Sequence, residues 1–195
     1  MDISATTAAP ADAAVLAATV RWLERAVIGL NLCPFAKAVH NKKQIHYAIA
    51  RSHTAPELLD ELRKEISGLV EAQALVRDTT LWILPLQYPD FMEFNAFFGQ
   101  AERLLARLGQ VGVLQIATFH PEFQFASTEP DDITNCTNRA PYPMLHLLRE
   151  DSMDRAVAAY PQAEAIYQKN METLQALGAA GWVALGVGLT EEPPQ

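Results

Sequence analysis

The chain has 195 residues, of which 50% are hydrophobic, and this content suits one domain with a substantial buried core. The formal net charge of -8 argues against binding to nucleic acid or to an anionic membrane, since both require a basic surface. Two cysteines are too few for a disulfide framework or a four-cysteine zinc site, which favours a reducing compartment.

The N-terminus does not resemble a secretory signal, because no lysine or arginine precedes Arg21 and no long leucine-rich core is present. No apolar run approaches the roughly 20 residues that a membrane-spanning helix needs. We therefore expect a cytoplasmic protein, with a flexible tail at residues 1–12, a single α/β domain at 13–180 and a C-terminal tail at 181–195.

Two helices are predicted at the start of the domain. Apolar residues recur at spacings of four and three between residues 16 and 30, which is the pattern of an amphipathic helix. Pro34 disfavours helical geometry at Cys33, so a break is expected there. A short helix over residues 35–40 follows, with Cys33 as its N-cap and Pro34 as its first helical residue.

Three strands are predicted next, and amphipathic helices separate them. Residues 44–50 alternate apolar and polar side chains, as a strand with one buried face does. Residues 79–86 are nearly continuous apolar β-formers, typical of a strand covered on both faces. Residues 111–119 form the third strand, and the intervening helices begin near Thr54 and Asp90.

This order predicts an α/β or α+β fold with a small, mostly parallel β-α-β-α-β sheet, flanked by helices and extended by N- and C-terminal helices. Helical crossovers between adjacent strands imply parallel pairing with right-handed connections. A ferredoxin-like sheet with antiparallel neighbours is the alternative, and it requires one more strand, at residues 123–125 or 182–187.

A polar connection of about 20 residues follows the third strand, and connections of this length are commonly functional or disordered. Beyond it we predict a helix that opens at Pro143, with Met144, Leu147 and Leu148 facing inward. A last helix is expected from near Pro161 to Gly178.

Polar side chains follow each predicted strand, at the edge where ligands collect in open parallel sheets. Arg51 and His53 follow the first strand, Gln87 and Tyr88 the second, and His120 and Glu122 the third. The long connection should bring further polar residues to the same edge, namely Asn138, Arg139, Tyr142, His146 and Arg149.

An anion site is predicted where this connection enters the helix at Pro143. The N-terminal N–H groups of a helix are unpaired, and its dipole favours negative charge. Arg139 before this end and Arg149 on the helix can hold a carboxylate or phosphate. In the alternative reading, both arginines form structural ion pairs with nearby acidic residues.

Cys33 is a candidate nucleophile. At a helix N-terminus its pKa should be lowered, and His120 or His146 can serve as its base. In the alternative reading, Cys33 is a small apolar residue of the core.

No cofactor is predicted. His120, Glu122, His146 and Cys136 are acceptable metal ligands, but no recognised spacing connects them. A divalent metal held by His120, Glu122 and His146 remains an alternative.

Three stretches resemble an uncharacterised bacterial family of domains of unknown function, DUF1415. They are GLNLCPFA at residues 29–36, TFHPEFQF at 118–125 and TNRAPYPMLHLLRE at 137–150. The resemblance covers residues 20–160 and implies that these motifs belong together. It implies no activity, because no catalytic residues are assigned to the family.

A shorter stretch, CPFA at residues 33–36, is similar to the active-site CPF turn of glutaredoxins and glutathione transferases. In those thioredoxin-like proteins the cysteine follows a strand and starts a helix. The resemblance implies a thiol enzyme that uses Cys33 as its one cysteine.

Together these patterns predict an enzyme or binding protein for a small anionic molecule. His120 is the acid–base candidate, with His146 and Cys33 as further catalytic candidates. The substrate-binding candidates are Asn138, Arg139, Tyr142, Arg149 and Glu122. The alternatives are the thiol enzyme and a non-enzymatic ligand-binding or protein-interaction module.

Overall fold

The structure is a computed structural model that describes residues 10–160 and 163–188. Its main elements, in chain order, are α1 (Asp12–Trp22), a π-helix (Leu23–Ile28), α2 (Ala36–Asn41), β1 (Ile45–Ile49), α3 (Ala55–Glu71), β2 (Thr79–Ile83), α4 (Phe91–Arg107), β3 (Leu114–Phe119), β4 (Met144–Arg149), α5 (Glu150–Ala158) and α6 (Ile166–Ala184). A 3₁₀ helix, Ile133–Thr137, lies in the long connection before β4. The outer parts of both predicted tails, residues 1–9 and 189–195, lie outside the described residues.

The four strands form one mixed sheet in the order β1-β2-β4-β3. β1 pairs with β2 in parallel, whereas β4 is antiparallel to both β2 and β3. β3 therefore runs in the same direction as β1 and β2, although it is not the neighbour of β2. A mixed α/β fold is confirmed, and β4 separates the two strands that were predicted to be adjacent.

The prediction of a helix from Pro143 is wrong, because this segment is β4. Met144, together with His146 and Leu148, faces one side of the sheet, while Leu145 and Leu147 pack into the core on the other side. A short apolar run that is covered on both faces has no period that separates a strand from a buried helix. The pairing with β2 and β3 decides it.

A separate layer of helices covers each face of the sheet. On one face α3 and α4 pack against Trp82 and Leu147 in the larger core cluster. On the opposite face α1 and the π-helix pack against Leu81 and Met144. The strand alternation therefore gives the sheet two different apolar surfaces.

Cys33 lies in a turn between the π-helix and α2, not at a helix N-cap. α2 begins at Ala36, and Phe35 is its N-cap. The backbone N–H groups of Leu32 and Cys33 both donate to the Val27 carbonyl, at 2.9 and 3.5 Å. A π-helix has a wider turn than an α-helix, and the chain leaves this one through the turn that contains Cys33.

The last helix extends beyond its predicted end. Gly178 has non-helical angles (φ 66°, ψ 172°), but helical structure resumes and continues to Ala184. Arg21 Nε donates to the Gly186 carbonyl and Arg25 Nη1 to the Leu185 carbonyl, both at 3.0 Å. The segment after α6 is thus tied to the N-terminal helices. In the described part of the chain, no helix is long and apolar enough to cross a membrane.

Candidate functional site

The carboxyl ends of β1, β2 and β3 lie at one edge of the sheet, as the sequence predicts, and hydrogen bonds connect the loops that leave them. Gln87 Nε2 donates to the Ser52 carbonyl at 2.7 Å, which joins the loops after β1 and β2. His120 Nε2 lies 3.0 Å from the Tyr88 carbonyl, which joins the loops after β2 and β3. The polar side chains of Gln87 and His120 at this edge therefore bind backbone carbonyls of the neighbouring loops.

His120 is fully buried, and both of its ring nitrogens are engaged. Because the Tyr88 carbonyl can only accept, Nε2–H donates to it; Nδ1 accepts from the Glu122 N–H at 3.0 Å. Burial lowers the pKa of His120, so the ring is neutral at pH 7. This geometry organises the loop, and an acid–base role for His120 stays a prediction.

The other candidates in the long connection also bind the chain itself. Asn138 Nδ2 donates to the Thr118 carbonyl at 3.0 Å. Arg139 Nε and Nη2 donate to the carbonyls of Phe123 and Pro130, at 3.2 and 2.6 Å. Tyr142 is buried in the core beneath α1 and the π-helix, and burial raises its pKa. These contacts stabilise the connection.

The anion site that was predicted at a helix N-terminus loses its basis, because residues 144–149 form a strand. Arg149 shares a sheet face with Leu145 and Leu147, beside α3. Its guanidinium donates to the carbonyls of Leu69 and Ala72 near the end of α3. It also contacts the Arg77 carbonyl at 3.4 Å. Arg149 thus binds carbonyl groups that the helix leaves unpaired.

A cavity of about 400 Å³ lies on the opposite face of the sheet. Its walls come from the end of α1, the π-helix, residues 33–39 and α5, and its floor is the sheet. We call it the sheet-face pocket. Apolar side chains dominate its lining, among them Trp22, Val27, Ile45, Leu81, Phe119 and Leu148.

His146 lines the sheet-face pocket with one nitrogen bound and one unengaged. The Thr79 hydroxyl donates its single proton to the Leu147 carbonyl at 2.6 Å. It therefore accepts from His146 Nε2–H, also at 2.6 Å. Burial lowers the pKa of His146 to about 4. At pH 7 the ring is neutral and Nδ1 carries a lone pair.

Cys33 lines the same pocket. Its sulfur accepts from the backbone N–H groups of Phe35 and Ala36, which lower the pKa of the thiol, but burial raises it by more. The lowered pKa that the sequence predicts is therefore wrong. Two backbone donors do not offset the loss of water around a thiolate.

Further polar groups of the pocket lie at the start of β2 and the start of α5. Ser152 Oγ donates to Asp78 Oδ1 at 2.6 Å, and both residues line the cavity. Arg149 also lines it, but its guanidinium binds carbonyls on the other face. No lysine lines the pocket among the described residues.

The structure thus places three of the predicted site residues, Cys33, His146 and Arg149, around one cavity that the sequence did not indicate. His120, Glu122, Asn138, Arg139 and Tyr142 do not line the sheet-face pocket. Sequence reasoning missed Thr79, a polar side chain at the start of an apolar strand. The available signal was the pair of hydroxyl side chains, Thr79 and Thr80, that begins an otherwise apolar strand.

No group of three or more His, Cys, Asp or Glu side chains is arranged to hold a metal ion within residues 10–160 and 163–188. The two histidines of the metal alternative differ in their ring nitrogens. Both His120 nitrogens bind backbone groups, whereas His146 keeps one nitrogen free. The metal alternative gains no support from this arrangement.

A family model described as "Protein of unknown function (DUF1415)" matches residues 14–184. This match confirms the resemblance that the three motifs carry. No curated protein and no solved structure matches the chain. In the thioredoxin-like pattern a strand precedes the cysteine, whereas here residues 12–28 before Cys33 are helical.

Proposed function

The chain belongs to the DUF1415 family, whose description assigns no activity, and we propose that it binds a small, uncharged and largely apolar molecule in the sheet-face pocket. The observation that carries the proposal is the cavity of about 400 Å³ with a mostly apolar lining and a few polar groups. Small-molecule sites have this volume and this composition.

The charges around the pocket favour an uncharged ligand. His146 is neutral at pH 7, and the carbonyls at the end of α3 engage the Arg149 guanidinium. Asp78 adds a negative group. A buried anion would lose its hydration without gaining a cation, which is costly. The anionic ligand that the sequence predicts therefore has less support here than a neutral one.

Calorimetric titration with 1-octanol and with octanoate tests the charge preference. The two ligands share an eight-carbon chain and differ in their polar end. We expect octanol to bind at pH 7.5 and octanoate to bind at least about tenfold more weakly, since burying an unpaired charge costs more than 1.4 kcal/mol. Equal or tighter binding of octanoate, or no binding of octanol, contradicts the proposal.

A thiol reaction at Cys33 is the second candidate function. It is favoured by the position of the sulfur, which accepts two backbone N–H groups and lines the same pocket as His146. N-ethylmaleimide should then label one cysteine of the native protein, and octanol should block the reaction. A Cys33→Ser variant is the control, because Cys136 is buried at 2% exposure. An unlabelled native protein removes this candidate.

A further inference from the structure

The unengaged nitrogen of His146 indicates more about the ligand than its size and charge. We propose that the ligand carries a hydrogen-bond donor, a hydroxyl or an N–H group, and that this donor binds Nδ1 of His146. The inference rests on the proposed function, because it requires that the sheet-face pocket is the binding site.

The hydrogen bonds of Thr79 fix which nitrogen of His146 is protonated. The hydroxyl has one proton, and the Leu147 carbonyl at 2.6 Å can only accept it. Towards His146 the Thr79 oxygen is therefore an acceptor, and Nε2 must carry the ring proton. The neutral ring then presents Nδ1 as an acceptor.

Nδ1 has access to the pocket. In the described part of the chain, the Tyr47 hydroxyl is the one side-chain polar atom that is sealed from solvent and lacks a hydrogen-bond partner. No hydrogen bond of the described residues engages Nδ1, and His146 lines the cavity. Nδ1 is therefore accessible from the pocket and can accept a hydrogen bond from a ligand.

The surroundings make a donor more valuable than a second acceptor. Phe119 and Leu148 line the pocket with His146, and neither offers a polar group. The Phe119 ring lies 6.2 Å from the imidazole, centroid to centroid. A ligand that covers Nδ1 without donating to it would leave a buried lone pair unsatisfied, which is unfavourable.

Two ligands of identical composition isolate this contact. 1-Octanol and heptyl methyl ether contain the same atoms, but only octanol can donate a hydrogen bond. We expect the wild-type protein to bind octanol about fivefold more tightly than the ether, as for one hydrogen bond in a buried site. In His146→Phe, which keeps an aromatic ring without a nitrogen, the two affinities should become equal.

A second variant keeps the test decisive if His146→Phe does not fold. Thr79→Val removes the acceptor at Nε2, so the ring proton is free to move to Nδ1 and the preference for octanol should fall. Long-range ¹H–¹⁵N NMR on the wild type reports the tautomer directly. We expect the proton on Nε2, and a proton on Nδ1 contradicts the inference.

The outcomes separate the two proposals. Equal affinities in the wild type, or a preference for octanol that survives in both variants, overturn the donor inference and leave the pocket as a binding site. If neither octanol nor the ether binds the folded wild-type protein, the proposed function fails, and the donor inference fails with it.

Discussion

Two constraints position His146 in the sheet-face pocket. The alternation of β4 directs it to the same face as Met144 and Leu148, and the Thr79 hydroxyl binds its Nε2. The first constraint orients the side chain, and the second fixes its tautomer. Burial keeps the ring neutral at physiological pH, so this tautomer presents Nδ1 as a hydrogen-bond acceptor.

The lowered pKa of His146 predicts a loss of stability in acid. The unfolded chain binds a proton at this residue near pH 6.5, whereas the folded protein binds it near pH 4. Protonation therefore favours unfolding, and stability falls as the pH decreases from 6.5 through 4. The contribution of this one group has an upper limit of roughly 3 kcal/mol.

Urea unfolding at pH 7 and pH 4 measures this contribution. The non-titrating variant His146→Gln should lose less stability on acidification than the wild type. Burial also lowers the pKa values of His120 and His46, but both residues remain in the variant, so their effects cancel in the comparison. An equal loss in the two proteins would show that His146 is not buried as a neutral ring.

The raised pKa of Cys33 predicts slow alkylation at neutral pH. The rate with N-ethylmaleimide should rise with a midpoint above the ordinary value of about 8.5, because burial stabilises the neutral thiol. Mass spectrometry of the digested product identifies the labelled cysteine, and Cys33→Ser gives the background rate. A midpoint below 8.5 would indicate that the N–H groups of Phe35 and Ala36 outweigh burial.

The Tyr47 hydroxyl predicts a stabilising substitution. It is buried without a hydrogen-bond partner, and its pKa is raised to about 12 by burial and by the charge of Glu24. Tyr47→Phe should increase the free energy of unfolding by about 1 kcal/mol, since it removes an unsatisfied polar group. Tyr167→Phe is the matched control, because Tyr167 is exposed and should change little. Destabilisation by Tyr47→Phe would mean that the hydroxyl has a partner.

At the scale of elements, β4 is the strand that local sequence patterns did not predict. β1, β2 and β3 each carry a local signature of alternation or continuous β-formers, and the structure contains all three. Apart from His146, residues 144–148 are apolar on both faces, so their pattern fits a buried strand and a buried helix equally. Only pairing with β2 and β3, which are far away in sequence, makes this segment a strand.

The π-helix is the second element that local patterns did not reveal. Its apolar stripe reads as an ordinary helix, because the spacing of four and three does not register a wider turn. The π-helix affects the residues that follow it, because the Val27 carbonyl accepts from the N–H groups of both Leu32 and Cys33. π-Helical turns occur frequently at functional sites, and this one forms a wall of the sheet-face pocket.

A substitution at Gly29 tests how closely the backbone is packed after the π-helix. A Cβ atom at Gly29 would lie 2.3 Å from the Arg25 carbonyl oxygen, so the backbone after the π-helix would have to shift. Gly29→Ala should lower the free energy of unfolding by about 1–3 kcal/mol, the usual cost of overpacking. Octanol binding should weaken as well, because Val27 and Cys33 would move.

Gly99→Ala is the control for this substitution. Gly99 lies within α4, and a Cβ atom there would meet only Arg103 Nη1, at 3.6 Å. Alanine should therefore stabilise α4 by about 0.5–1 kcal/mol through its helix propensity. Thermal or urea unfolding of both variants checks the pair, and similar stability of the two would contradict the close packing at Gly29.

At the scale of the whole molecule, the rule for open sheets predicted that the loops after the parallel strands meet at one edge. The loops after β1, β2 and β3 do converge, but Gln87 and His120 bind backbone carbonyls there. The cavity lies on the face covered by α1 and the π-helix, towards the starts of β1 and β2. Elements that are far apart in sequence, from α1 to α5, form it, and no local pattern reports such a packing.

The net charge of -8 and the apolar pocket have separate consequences. The acidic surface repels anions in general, which is consistent with a neutral ligand but does not select one. Selection depends on the few polar groups inside the pocket, chiefly His146 and Cys33. The candidate residues could be named from the sequence, whereas their shared location required the fold.

Filling the sheet-face pocket tests the central claim most directly. Ala156 and Ala158 both lie on α5, but only Ala156 lines the cavity, and Ala158 is exposed. Octanol should bind the wild type and Ala158→Phe with equal affinity, and binding to a folded Ala156→Phe variant should be at least about tenfold weaker, because a phenyl ring occupies the ligand volume. Unchanged octanol affinity in Ala156→Phe would contradict the assignment of this pocket as the binding site.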